Sequence, residues 1–252
     1  MSAKSPRGSI LITGATGAIG SAAVDLFLET GWAVLGLDRD PSVVDRENEG
    51  FQGAQVELTE EAALDDALSA LEDMPPLLHV VAVAGGALPE EPKTQDDLTK
   101  VSVELFRSSI EQNLISQFIT VKACLPWLRA SPQRDRSVSL TSSFNALSGY
   151  GMAGYSAAKA GLIGLMHATA PHLGAEGIRV NVIAPGTVKT PRTESIWSHV
   201  PGHFEQLAAT AALGRLGDPI DIAKAYRAIA LELSHVTGQV LVVDGGQLVH
   251  RK

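Results

Sequence analysis

Tyr155 and Lys159 stand four residues apart in the helix-patterned run Tyr155-Ser156-Ala157-Ala158-Lys159. Residues at that spacing share one helix face, so a phenol and an ammonium can act on the same bound molecule. A free phenol titrates near ~10 and is a poor base at neutral pH. A neighbouring ammonium favours the phenolate and is expected to lower that value. Such a tyrosine can pass a proton to or from a carbonyl or alcohol oxygen. Ser142 lies thirteen residues before Tyr155, at the end of a short strand-like run, and can donate a hydrogen bond to the same oxygen.

A second constellation opens the chain. Ile10-Leu11-Ile12 reads as a strand, and Thr13-Gly14-Ala15-Thr16-Gly17-Ala18-Ile19-Gly20 follows it into a helical stretch. Glycines at such a turn let backbone approach a pyrophosphate and let the helix pack closely on the strand. The helix then aims its unpaired N–H groups at the anion. Asp38 closes the second strand about 20 residues further on, where a carboxylate can bond the ribose hydroxyls of an adenosine. A carboxylate there repels a 2′-phosphate, so the expectation is NAD(H). Arg39 beside it can accept that phosphate and keeps NADP(H) open.

These groups need a scaffold that holds them at one edge of a sheet. Strands are expected at Ile10 to Ile12, Ala33 to Leu37, Ala54 to Leu58, Leu77 to Ala84, Ser137 to Leu140, Val180 to Ile183 and Gln239 to Val243. Helices are expected at Ser21 to Leu28, Glu60 to Leu71, Thr99 to Leu128, Tyr155 to Leu173 with Pro171 kinking its last turn, and from the Asp218-Pro219 cap to about Leu233. The alternation predicts an α/β fold: a single Rossmann-type doubly wound parallel sheet of about seven strands, with helices on both faces, over residues 1–252. Pro185 to His203 reads as an irregular covering loop, overlapping a substrate-covering region at 186–214. Trp197, Phe204 and Leu207 are expected to form an apolar lid.

Composition narrows the function classes. The chain has 252 residues, a formal charge of −8 and 45% apolar residues, enough for a sizeable core. The acidic balance argues against a nucleic-acid backbone binder. No apolar run is long enough for a membrane span. The basic, then apolar, start around Lys4, Arg7 and Ile10 is broken by Gly14, Gly17 and Gly20, which argues against a signal peptide. The single cysteine, Cys124, excludes an internal disulfide and fits a reducing, cytoplasmic setting. His199 and His203 are spaced four apart, but a metal site needs a further ligand, so no metal is expected.

With these motifs in this order the chain resembles the short-chain dehydrogenase/reductase family, in its single-domain branch of the same length. The likeness runs over nearly the whole chain. The glycine turn matches Thr13 to Gly20, and the family's helix asparagine matches Asn113. Its Ser, Tyr and Lys match Ser142, Tyr155 and Lys159. Its post-catalytic strand and loop match Arg179 to Gly186, with Thr190 in the position that holds the nicotinamide carboxamide. Its closing strand matches Gly238 to Gly246. The resemblance implies an oxidoreductase interconverting a secondary alcohol and a ketone. Hydride moves at the nicotinamide, Tyr155 is the acid/base, and Lys159 bonds the nicotinamide ribose. Asn113 helps hold a water that links Lys159 to solvent. It also implies cofactor contacts from Gly14, Thr16, Gly17, Ala18, Ile19, Asp38, Arg39, Glu57, Leu58, Ala84, Gly85, Pro185, Gly186, Val188 and Thr190. Substrate contacts are expected from Leu88, Ser142, Phe144, Tyr150 and Tyr155. A homotetramer built through the Thr99 helix, the Tyr155 helix and the closing strand is implied as well.

Several positions depart from the family pattern. Ala18 stands where a glycine is usual, with Gly17 one place earlier. Ala82-Val83-Ala84-Gly85 replaces an Asn-rich segment, so hydrogen bonding beside the cofactor must differ. Thr141, Asn145 and His172 are also unusual. Two other function classes compete: a nucleotide-binding sensor without chemistry, and an α/β serine hydrolase built on Gly154-Tyr155-Ser156-Ala157-Ala158. The hydrolase motif lacks its final glycine, and its serine falls inside a helix. Joint retention of Ser142, Tyr155 and Lys159 speaks against the sensor.

Overall fold

A computed structural model describes residues 7–94, 97–148, 151–198 and 200–249. Seven strands form one sheet: β1 (Ser9–Thr13), β2 (Ala33–Asp38), β3 (Phe51–Gln55), β4 (Leu77–Ala82), β5 (Arg136–Thr141), β6 (Ile178–Pro185) and β7 (Val240–Val243). Their order is β3-β2-β1-β4-β5-β6-β7, and every pairing is parallel. Helices α1 (Ala18–Glu29) and α2 (Glu61–Leu68) accompany the first half. The second half adds α3 (Val103–Ile110), α4 (Ser116–Ala130), α5 (Ala153–Ala175), α6 (Pro191–Trp197), α7 (His203–Thr210) and α8 (Pro219–Arg227). Among the described residues no helix is long and apolar enough to cross a membrane.

Period-two alternation in the strands sorts apolar side chains to two faces. Leu11, Val80, Val138 and Val180 face one way and pack with Leu64, Cys124, Leu128, Leu162 and Met166 of α2, α4 and α5. Ile10, Ile12, Val81 and Ile183 face the other way, against Val24 and Phe27 of α1 and Ile222 and Tyr226 of α8. A sheet buried on both faces needs near-continuous apolar strands, which is why β4 is buried at all six positions. Each large apolar side chain withdrawn from water contributes about 2 kcal/mol before its ordering cost. The chain leaves β1 for β2 and β3, then crosses back to β4. The sheet therefore splits at the carboxyl ends of β1 and β4, where such folds take ligands.

Four elements differ from the sequence reading. β3 is Phe51–Gln55 and precedes the expected Ala54 to Leu58 run. Its ladder pairs Val34 with Phe51 and Asp38 with Gln55, so the apolar Val56 and Leu58 are buried beyond the strand end. Gly53 is the reason the strand looked weak, since a Cβ there would lie 2.0 Å from the Val43 carbonyl oxygen.

The expected Thr99 to Leu128 helix is broken. A 3₁₀ turn covers Leu98–Lys100, and Ser102 then caps α3 by accepting from the Leu105 N–H at 3.0 Å. A π-turn at Glu111–Ile115 separates α3 from α4. The expected Tyr155 to Leu173 helix is longer at both ends: α5 runs Ala153–Ala175, with Pro171 inside it and Leu173 buried. The covering region is not irregular, because it carries α6 and α7. Thr190 caps α6 by accepting from the Thr193 N–H at 3.1 Å, and Pro191 occupies the first helical position.

Candidate active site

The glycine turn forms the floor of the first cavity, of about 480 Å³. Gly14 has φ +68, a conformation only glycine adopts without strain. A Cβ at Gly20 would lie 1.9 Å from the Gly14 carbonyl oxygen, so α1 can approach the turn only because that atom is missing. α1 starts from Gly17 with no side-chain cap, which leaves its first N–H groups directed at the cavity. Gly14, Thr16, Gly17, Ala18, Ile19, Asp38, Arg39, Glu57, Leu58, Ala84 and Gly85 all line it. The Asp38 carboxylate accepts from the Thr16 N–H at 3.0 Å and from the Thr16 hydroxyl at 2.7 Å, which pins it at the edge of the cavity. This uncapped, side-chain-free cradle with a carboxylate at its far end fits a dinucleotide.

A second cavity, of about 460 Å³, joins the first at Ile19, Val83, Gly85, Thr190 and Arg192. Tyr155, Lys159, Ser142, Phe144, Pro185, Gly186 and Val188 line it. Lys159 Nζ is 5.6 Å from the Tyr155 ring centroid, so the pair shares one helix face as the spacing requires. Lys159 is only 2% exposed. Nζ donates to the Thr141 carbonyl at 2.8 Å, and burial, helped by the Arg192 charge, pulls its pKa down to about 7. Burial pushes the Tyr155 phenol up from its ordinary value, while a Ser143 hydrogen bond and the Arg192 charge oppose it. The direction is thus opposite to the lowering that the Lys159 spacing led one to expect, because desolvation is the largest influence on the phenol.

The two serines at the end of β5 divide their tasks. The Ser142 N–H continues the β5–β6 ladder to the Ile183 carbonyl at 2.8 Å. Its hydroxyl donates to the Lys159 carbonyl at 2.7 Å, inside the protein. The next residue, Ser143, lines the second cavity together with Tyr155, and its hydroxyl accepts from the Asn145 N–H at 3.2 Å. Both serines line the second cavity, and the one that the spacing singled out, Ser142, has its hydroxyl turned to the Lys159 carbonyl.

Asn113 is fully buried at the π-turn. Its Oδ1 accepts from the Gly86 N–H at 2.7 Å, and its Nδ2 donates to the Gly86 and Ser109 carbonyls, each at 3.1 Å. A Cβ at Gly85 would meet Asn113 Oδ1 at 2.7 Å and Lys159 Nζ at 3.1 Å, so both stand over that glycine. Behind them, Thr141 is a hub. Its backbone N–H and carbonyl pair with the Gln117 side chain at 3.0 and 3.1 Å. Its hydroxyl donates to the Ala82 carbonyl at 2.5 Å and accepts from the Tyr226 hydroxyl at 2.7 Å. The Ala84 N–H reaches Thr13 Oγ1 at 3.1 Å. Thr13, Gln117 and Thr141 thus supply the polar contacts that Ala82-Val83-Ala84 cannot make with side chains.

Some expected contacts lie elsewhere. Leu88 is half-buried but does not line the second cavity, because its N–H is drawn to Glu91 Oε2 at 2.8 Å; Ala87 and Pro92 form that wall instead. Tyr150 and His199 lie outside the described residues. Trp197 and Leu207 line the cavity as the lid reading expected, whereas Phe204 packs edge-on against His203. Trp197 and His203 stack at 4.3 Å. Among the described residues no group of three His, Cys, Asp or Glu could hold a metal. Ser156 lies inside α5, away from any strand-to-helix turn. The sequence reading missed Ser143, Gln117 and Glu91, although the Ser142-Ser143 doublet was a visible signal.

A family model described as enoyl-(acyl carrier protein) reductase matches residues 14–247. The 3-oxoacyl-[acyl-carrier-protein] reductase of Vibrio cholerae is 31% identical over 245 residues, covering 94% of this chain and 95% of that one. The (3R)-3-hydroxyacyl-CoA dehydrogenase of Rattus norvegicus is 31% identical over 255 residues, covering 94% of each. The crystal structure of a short-chain dehydrogenase/reductase family oxidoreductase from Burkholderia thailandensis superimposes with a TM-score of 0.86 at 35% identity. That match covers 97% of this chain and 94% of the other. The fold and cradle define a dinucleotide-binding α/β protein. The chain belongs to the short-chain dehydrogenase/reductase family, and it is an NAD(P)-dependent oxidoreductase acting on CH–OH groups.

Proposed function

We propose that the protein interconverts a secondary alcohol and a ketone, with NAD(H) preferred and Tyr155 as the acid/base. The observation that carries this is the Tyr155–Lys159 pair, which opens on a cavity continuous with the glycine cradle. Bound nicotinamide would give or take the hydride. Gly14, Gly17 and the start of α1 would hold the diphosphate, Asp38 the adenosine ribose, and Lys159 the nicotinamide ribose. Pro185, Gly186, Val188 and Thr190 would border the nicotinamide. Tyr155 would pass the proton, and Ser143 would donate to the same substrate oxygen. Ser142 would act one layer back, holding the Lys159 backbone. Asn113 Oδ1 faces Lys159 over Gly85, the side from which a proton relay would leave.

The preference for NAD(H) rests on the Asp38 carboxylate, held at the adenosine end by Thr16. Phe144, Met152, Ile196, Trp197 and Leu207 give the second cavity an apolar wall, which suits a largely apolar ketone. Residues 186–214 would cover it, within one domain spanning the chain. The relatives named for 3-oxoacyl and 3-hydroxyacyl compounds place thioesters of that class first in a substrate screen. A cytoplasmic homotetramer paired through the α3–α4 segment, α5 and β7 completes the proposal; light scattering tests the assembly.

The test is turnover of a panel of 3-oxoacyl thioesters, cyclic ketones and sugars with each reduced cofactor. At least one ketone is expected to turn over, with kcat/KM at least about tenfold higher for NADH than for NADPH. Equal or higher NADPH turnover would overturn the preference, and cofactor binding without turnover of any ketone would favour the sensor reading.

A further inference from the structure

Glu91 is a carboxylate that the proposed proton transfer does not use, yet it is 2% exposed and lies next to the acid/base. α5 begins at Met152, which provides no side-chain cap. Its third helical N–H, that of Tyr155, is one of the groups a helix start leaves unpaired. Glu91 Oε1 accepts from it at 2.8 Å, across 64 residues of sequence. Oε2 accepts from the Leu88 N–H at 2.8 Å, in the loop that provides Ala87 and Pro92 to the substrate-side cavity. One carboxylate therefore joins the backbone of the proposed acid/base to the cavity wall opposite it.

The neighbours are shaped for this contact. A Cβ at Gly154 would lie 3.0 Å from Glu91 Oε1 and 2.9 Å from Ser109 Cβ, so the carboxylate fits against α5 because residue 154 has no side chain. A charged acceptor at a helix start is stronger than a neutral cap, since it meets both the N–H and the positive end of the helix dipole. The charge also reaches the phenol. The charged and polar groups facing the Tyr155 phenol are Arg192 from α6, Ser143 after β5, Tyr226 from α8, Lys159 on its own helix, and Glu91. Of these, Glu91 is the one carboxylate among the described residues, and it opposes formation of the phenolate.

We propose that Glu91 is a positioning residue for the reaction. It fixes Tyr155 at the start of α5 and ties it to the 87–92 wall. This rests on the reading of Tyr155 as the acid/base. The tests are Glu91→Gln and Glu91→Ala, with Tyr155→Phe in the same assays. Each variant is measured for kcat and KM separately, for NADH affinity by fluorescence, and for the pH profile of alcohol oxidation. Circular dichroism and thermal melting report folding.

Glu91→Ala is expected to lower kcat at least about tenfold with NADH affinity within about twofold. Glu91→Gln keeps the volume but has one acceptor oxygen for two N–H groups. It is expected to raise substrate KM several-fold and to move the oxidation profile about half a unit to lower pH. A purely structural role would leave that profile in place. A folded Glu91→Gln enzyme with wild-type kcat, KM and pH profile would overturn the proposal, and if Glu91→Ala fails to fold this variant decides alone. Wild-type turnover in Tyr155→Phe would instead defeat the acid/base reading, so the two failures are distinguishable.

Discussion

His79 and Lys159 are both buried cation-forming side chains, at opposite ends of the same sheet. Burial pulls His79 down to about 4 and Lys159 down to about 7. His79 pairs in register with Ile10 and Ser137 near the amino ends of the strands. Its Nδ1 lies 2.9 Å from Ser137 Oγ, and Trp32 packs edge-on at 5.1 Å. It lines neither cavity. Lys159 Nζ donates to the Thr141 carbonyl, and the cavity lies before it. Desolvation is common to both, so desolvation does not mark a site. Open space on the reactive side, continuous with a phosphate-sized cradle, marks it.

Removing the cation at the functional end sharpens that contrast most. Lys159→Met is expected to cut kcat at least about 100-fold. It should also raise the melting temperature by a few degrees at neutral pH, because a buried cation is replaced by a packed apolar chain. The folded value of Lys159 lies below the ordinary 10.5. Stability from this group is therefore fully present above about 10.5 and falls as pH drops toward about 7. The variant should lose that slope between pH 7 and 10. Retained turnover, or a lower melting temperature, would break the comparison.

The serine doublet gives the next largest effect. Ser143→Ala is expected to lower kcat/KM by about ten- to a hundredfold, since a donor to the substrate oxygen is lost. Ser142→Ala should change kcat less than about threefold and cost about 1 kcal/mol of stability, because the Lys159 carbonyl loses its donor. The reverse ranking in steady-state kinetics would return the role to Ser142.

The smallest effect on activity belongs to the other end of the sheet. His79→Leu should leave kcat within about twofold of wild type. In the wild type the folded value of about 4 lies below the ordinary 6.5. The unfolded chain takes up its proton first, so stability present above pH 6.5 is lost as pH falls toward 4, by on the order of 3 kcal/mol. Urea titrations across that range should show the slope in the wild type and lack this contribution in the variant. Loss of turnover in His79→Leu would mean that the amino-end cluster is functional too.

What was legible from sequence was carried by residue type at fixed spacing within one element. The glycine turn into α1, the Tyr155–Lys159 face and six of the strands were readable because a helix or strand sets those positions locally. The choice between Ser142 and Ser143 was not readable, because the count from Tyr155 passes through a loop. β3 was displaced because its register comes from β2 and its sequence, Phe51-Gln52-Gly53-Ala54-Gln55, has no β-branched residue. The covering helices α6 and α7 are too short for a periodic signal, although Thr190-Pro191 carried the start of α6. Glu91 depends on a contact across 64 residues, which no local pattern encodes.

The central claim is that a phenol on α5 passes the proton while the glycine cradle independently holds the cofactor. Tyr155→Phe removes one oxygen from the first and nothing from the second. Steady-state ketone reduction with NADH, together with an NADH fluorescence titration, separates them. The account predicts a fall in kcat of about a thousandfold with NADH affinity within about twofold of wild type. Turnover equal to wild type would contradict it.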